Sequence, residues 1–218
     1  MTQSADPSAP LRNAKGNKLN RRGRETRERV ISTAIEMLAG NERGGASANL
    51  VAKTAGVTWG TVQHQFGDAD GLWAAVLDEI QQRRTFLPPD SMQPAVGIPA
   101  RIRQVVEALW DGMATPEARA VSAIRNTLPV DVDELTAAYP QTAERFTAWD
   151  RRWRRTYARA FDGLEVDPRR LEQVRELLPP AVRGLRTEHG LSTWTDIEEA
   201  LEGLVGAATA YLTGPLPE

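Results

Sequence analysis

The stretch SANLVAKTAGVTWGTVQHQFG, residues 47–67, leaves this chain few alternatives. It reads as two short helices joined by a tight turn. Ser47 is placed to cap the first helix, and Leu50, Val51 and Ala55 give that helix an apolar face. Gly56 supplies the turn, because glycine enters backbone conformations that side chains resist. Val57 stands at the corner. Thr58 is placed to cap the second helix, whose open side presents Trp59, Gly60, Thr61, Gln63 and His64. Two helices so joined form a helix-turn-helix, in which the second helix enters the major groove of DNA.

The flanks narrow the reading. Upstream, Val30, Ile31, Ala34, Ile35 and Leu38 fall on one helical face. Downstream, Phe66-Gly67 closes the second helix and a new amphipathic helix begins at Asp68. The order is helix, glycine loop (Gly44, Gly45), helix-turn-helix, Phe-Gly and long helix. Over roughly residues 24–80 the chain resembles the tetracycline-repressor (TetR) family of bacterial transcription regulators. The residues carrying the resemblance are Ala52, Ala55-Gly56-Val57-Thr58, Gly60-Thr61 and Phe66-Gly67. It implies an all-α protein with a three-helix DNA-binding domain and a larger helical ligand-binding and dimerisation domain.

Composition limits the classes open to the chain. Cysteine is absent, which excludes disulfides, thiol nucleophiles and thiolate metal sites. No stretch approaches the roughly 20 apolar residues of a membrane span, and the N-terminus lacks the apolar core of a secretory signal. The expected setting is the cytoplasm, at the nucleoid, with no membrane partner. The net charge of −2 conceals an asymmetry. Residues 1–67 hold 10 Lys or Arg against 5 Asp or Glu, leaving +5, while the remaining 151 residues hold 17 against 24, leaving −7. A basic head on an acidic body suits phosphate contact at one end only.

Along the chain, residues 1–20 are polar and expected to be a disordered basic arm. With Arg21, Arg22 and Arg24 after it, the arm is either a solvated tail or a strand that lies on phosphates or reaches a minor groove. Residues 21–67 form the expected helix-turn-helix domain and 68–218 the body. A helix runs from Asp68 to about Arg84, and the four prolines of residues 86–99 make a loop, with Pro99 at the next helix start. Thr115-Pro116-Glu117 begins another helix, which runs to about Thr127. Pro140 should kink or divide the helical region 131–163, and Pro179-Pro180 should bend or break the helix that starts at Asp167-Pro168. Thr195 and Glu198 have capping-box spacing for the last helix. No alternating strand pattern of useful length occurs.

The candidate DNA-binding residues are Arg24, Ser47, Lys53, Thr58, Trp59, Gly60, Thr61, Gln63 and His64. Thr58 and the first-turn amides suit a phosphate. Gly60 permits close backbone approach, Thr61 offers a methyl or a hydroxyl, and Gln63 could pair with adenine. Lys53 and His64 are phosphate candidates. Trp59 either packs on sugar and thymine methyl or partly plugs the head. In the family a basic residue commonly follows the cap, a Tyr often stands at the position of Gln63 and a Lys at that of Ala69. Specificity therefore does not transfer from relatives. One small helix makes too few contacts for selective binding, so a homodimer on a palindromic operator is expected, with half-sites about 34–36 Å apart or a multiple of that.

The resemblance places the dimer interface on the last two long helices, about 168–187 and 195–213. The candidate residues are Leu178, Leu185, Leu201, Leu204, Val205, Ala208 and Leu212, and the same stripe could instead pack on its own body. The resemblance also implies an effector pocket in the body. Trp110, Met113, Phe146, Trp149, Trp153 and Tyr157 recur at helical spacing and are either ordinary core or the lining for an apolar or aromatic small molecule. The arginines from Arg151 to Arg159 either attract an anion or form a solvated face. There is no phosphate loop, dinucleotide fingerprint or metal-ligand spacing, and no catalytic residue, metal or cofactor is singled out. The expectation is a non-enzymatic transcriptional regulator, a repressor released from its operator by a small-molecule effector. The alternative is a helical adaptor with a vestigial head.

Overall fold

The computed structural model describes residues 12–40, 47–83, 97–191 and 194–215. Among these it is all-α, with ten helices. They divide between two compact units, the described parts of Met1–Arg84 with Pro116–Thr147, and of Thr85–Thr115 with Ala148–Glu218.

The first unit holds α1 (Arg21–Gly40), α2 (Ala48–Thr54), α3 (Trp59–Phe66), α4 (Ala69–Arg83), α6 (Pro116–Arg125) and α7 (Val132–Ala138). The stripe Val30, Ile31, Ala34, Ile35 and Leu38 turns inward, and α1 packs on α2, α4 and α6. The sharp turn between α2 and α3 has Gly56 at φ +66, the left-handed region that the sequence requires of it. This unit outruns the end of the motif at residue 67, because α4 packs on both α1 and α3, and α6 packs on α1.

The second unit contains α5 (Ile98–Met113), α9 (Pro168–Gly190) and α10 (Ile197–Thr213), mutually packed. The chain of α8 (Pro140–Ala160) runs through residues of both units. The second core comprises Ile102, Val105, Val106 and Leu109 of α5, Tyr157 of α8, Val174, Leu178 and Val182 of α9, and Val205, Ala208 and Leu212 of α10.

Several sequence expectations give way. The segment 12–20, expected to be disordered, is folded: Arg12 and Lys18 form an antiparallel bridge, and Asn13 and Leu19 are buried. The Asn13 side chain satisfies local backbone groups, which a polar composition does not reveal. Of the two outcomes expected at Pro179-Pro180, a break does not occur, and α9 continues through both prolines. Each proline removes only its own N–H bond, and the burial of Val174, Leu178 and Val182 holds the turns on either side. The last helix is capped by Asp196, which accepts from Glu199 N at 3.1 Å, rather than by Thr195. The division at Pro140 occurs, with Pro140 opening α8. Gly44-Gly45 and most of the 86–99 loop lie outside the described residues.

Candidate nucleic-acid interface

Helix α3 is positioned from three sides. Thr58 caps it, accepting from Thr61 N at 3.2 Å, with the two hydroxyls 3.0 Å apart. Ser47 caps α2 in the same way, accepting from Leu50 N at 3.3 Å. Val62 and Phe66 point into the head. Arg27 of α1 lies over the Phe66 ring at 4.4 Å and donates to Gln65 O at 3.1 Å. Burial pushes the Arg27 guanidinium below its ordinary value, against the pull of Asp78. Gln65 is itself buried and donates to Gly23 O at 3.2 Å. Helix α3 is thus fastened to α1 at its C-terminal end.

Pinning one face leaves the other outward. Thr58, Gly60, Gln63 and His64 are exposed, and Trp59 and Thr61 are half-buried. Arg24 and Lys53 are exposed cations. A Cβ built on Gly60 would meet nothing nearer than Thr58 Oγ1 at 3.7 Å, so the helix is smooth and open there. Gln65, by contrast, belongs to the interior. His64 already has a partner: Asn13 Nδ2 lies 3.1 Å from its Nε2.

Behind α3, the Phe66-Gly67-Asp68 corner is tightly constrained. Asp68 caps α4 by accepting from Gly71 N at 2.8 Å. A Cβ at Gly71 would sit 1.9 Å from the Phe66 carbonyl oxygen, so only glycine fits. Asp70 is buried and caps α8, accepting from Gln141 N at 2.9 Å and Thr142 N at 2.8 Å. Arg145 adds an ion pair to Asp78 at 3.2 Å. Sequence reasoning missed Asn13, Arg27 and Asp70, whose partners lie far along the chain. Only the turn-forming Asn13–Asn17 segment offered a local signal.

The other candidates separate. Tyr157 is buried in the second core, against Trp153 and Phe161 with ring centroids 5.5 Å and 4.8 Å away. Among the described residues its hydroxyl has no hydrogen-bond partner, and burial pushes the phenol well above its usual value. Phe146 lies in the first unit under the Arg125 guanidinium at 4.1 Å. Met113, Trp149 and Trp153 are half-buried. Of the six pocket candidates, Trp110 alone borders the groove of about 240 Å³ between α5 and α10, and Arg186 covers its ring at 4.3 Å.

The dimer candidates need a similar revision. Leu178, Val205, Ala208 and Leu212 are buried in their own chain's core, with Leu201 and Leu204 packed against it and Leu185 half-buried. The faces left open are Gly203, Gly206, Ala207 and Ala210 on α10, and Leu177, Pro180 and Gly184 on α9. A hydrophobic stripe marks what is buried, and here the chain itself buries it.

Two short capped helices joined by a sharp glycine turn in a small helical unit, with a second all-helical unit, define a helix-turn-helix fold. Solved transcription regulators of the TetR type share it. A transcriptional regulator from Rhodococcus sp. Rha1 is 22% identical, with 88% of this chain and 99% of that one covered and a TM-score of 0.58. A TetR transcriptional regulator from Rhodococcus sp. RHA1 is 19% identical over 91% of this chain and 100% of its own, with a TM-score of 0.54. The multidrug binding protein EbrR, solved in complex with imidazole, is 21% identical, with 91% and 95% covered and a TM-score of 0.54. At such identities the likeness is one of fold. No protein-family model and no curated protein matches the chain.

Proposed function

We propose that this chain is a DNA-binding transcription regulator that acts as a homodimer, and that it is a repressor released from a palindromic operator by a small molecule. The observation that carries the reading is the outward face of α3, where Thr58, Gly60 and Gln63 stand free of the head's own packing. Thr58 and the first-turn amides take a phosphate, while Thr61 and Gln63 reach base edges. Trp59 packs on sugar or a thymine methyl. Lys53 and Arg24 neutralise backbone charge. Ser47, exposed at the start of the helix it caps, is the remaining candidate for a DNA contact.

The homodimer forms on the small-residue face of α10 and the open face of α9. Gly203, Gly206, Ala207 and Ala210 follow i, i+3, i+4, i+7 spacing, so a second copy's helix can approach closely there. The effector is a small apolar or aromatic molecule held by the second unit, for which Trp110 is the best-placed aromatic. EbrR, a multidrug binding protein, supports the idea that this fold accommodates such ligands. The effector acts by linkage: it favours the conformer whose two heads no longer match the half-sites, and DNA and effector weaken each other equally.

Selection of duplexes from a random pool by the full chain tests the reading. The expected product is an inverted repeat with half-site centres about 34–36 Å apart or a multiple of it, bound with steep salt dependence. No duplex retained at low ionic strength would remove the regulator reading and leave a helical adaptor.

A further inference from the structure

We infer that residues 12–20 are a preformed phosphate grip, locked to the recognition helix through Asn13 and His64, which holds the DNA backbone beside α3. The inference rests on α3 being the DNA-reading helix and adds a second contact element to it.

The loop is built, not merely present. Asn13 N donates to Asn17 O at 2.9 Å and Gly16 N donates to Asn13 O at 2.9 Å, which closes a turn with Gly16 at φ +78. The Asn13 side-chain oxygen accepts from Lys15 N at 3.0 Å and Asn17 N at 2.9 Å. Those two bonds fix the amide's orientation, so its NH2 group faces His64 and the imidazole Nε2 is the acceptor. Leu19 is buried, and Asn20 caps α1 by accepting from Gly23 N at 2.8 Å. Ordering a loop costs conformational entropy at every residue, so an anchor of this kind marks a segment whose position matters.

The loop's charges are left without carboxylate partners among the described residues, although Arg12 Nη1 donates to Gly16 O at 2.6 Å. Residues 12–24 contain six Lys or Arg and no Asp or Glu. Arg12 and Lys18 face one another across the bridge, an arrangement that like charges oppose. Arg12, Lys15 and Lys18 are exposed, and among the described residues no carboxylate forms an ion pair with them. A polyanion relieves that repulsion. An open groove of about 370 Å³ runs between the loop and α3, with Lys18 and Arg22 on one side and Thr61 on the other. Phosphates lodged along it would share a duplex with the outward face of α3. His64 is then a positioning residue whose Nε2 holds the loop.

The test uses the full chain and a 30-base-pair duplex recovered from the random pool, with anisotropy titrations at several salt concentrations. The Arg12→Ala/Lys15→Ala/Lys18→Ala variant changes only exposed side chains. It is expected to bind roughly 10- to 100-fold more weakly at low salt, with the log–log salt slope shallower by about 0.9 for each phosphate that the loop no longer neutralises. The weakening should be uniform across duplexes altered at single bases. Asn13→Ala and His64→Ala should each give a smaller loss with the same flattening, and the double variant no more than either alone.

Parental affinity and slope in the triple variant would overturn the inference, and so would tighter binding, which would mean that the loop obstructs α3. A loss confined to particular base pairs would also overturn it, by making the loop a base reader. If Gly60→Glu abolishes binding while the triple variant does not weaken it, this inference alone falls. If the parent binds no duplex, the regulator reading falls with it.

Discussion

Helices α3 and α8 distribute their side chains in opposite ways. In α3, Val62 and Phe66 anchor the helix while Trp59, Gly60 and Gln63 are left to the outside or its edge. In α8 the large aromatics go inward or under cover: Tyr157 is in the core, and Phe146 is capped by Arg125. Its outer face carries charge, where Arg154 pairs with Asp150 at 2.7 Å and with Glu176 at 3.2 Å. A two-turn helix in a tight motif has one face to bury, so its remaining face is available for a partner. A long helix can bury aromatics on several sides, and there spacing does not separate core from ligand lining.

The strongest way to break this contrast is to truncate one aromatic from each helix. Tyr157→Ala is expected to cost about 3–5 kcal/mol in urea unfolding, as loss of a large core side chain does. Trp59→Ala should cost well under half as much but weaken DNA binding. A stable Tyr157→Ala protein would mean that the ring lines a cavity. Tyr157→Phe sharpens the point: its buried hydroxyl has no partner among the described residues, so removal should be neutral or stabilising. Next in size is Gly71→Ala, where the new methyl meets the Phe66 carbonyl. The expected loss is about 3 kcal/mol by thermal unfolding. An unchanged melting temperature would show that the Phe66–Asp70 corner yields.

What could be read from the sequence follows the same divide. Ser47, Gly56 and Thr58 act on neighbours within a few residues, so spacing revealed their roles. The Asn13–His64 contact spans 51 positions and the Asp70–Thr142 contact spans 72, and no local pattern encodes either. The stripe of α10 was legible as buried, yet periodicity does not say whether the chain or a second copy covers it. Val205, Ala208 and Leu212 are covered by their own chain, while Gly203, Gly206, Ala207 and Ala210 are exposed.

Two smaller effects refine the comparison. Asp70→Ala removes the carboxylate that caps α8 and should cost about 1–2 kcal/mol. Asp70→Asn should restore part of it, since the amide oxygen still accepts one of the two N–H groups, and equal losses in both variants would argue against capping. The smallest effect lies on the surface of the second unit. Hydrogen bonds from Arg103 hold Glu202 below the usual carboxylate range. A carboxylate depressed on folding contributes stability above its unfolded pKa and loses it as pH falls through the folded value. The pair is exposed, so Glu202→Gln should give only a slight drop in melting temperature at neutral pH. That drop should vanish in acid and shrink in high salt.

Gly60→Glu with parallel binding and melting assays reaches furthest into the account. Among the described residues a Cβ at this position meets only Thr58 Oγ1, at 3.7 Å, so the melting temperature should stay within a few degrees of the parent's. Binding to the selected duplex should fall below detection, because a carboxylate would stand where backbone meets phosphate. Undiminished affinity in a folded Gly60→Glu protein would mean that α3 does not face DNA.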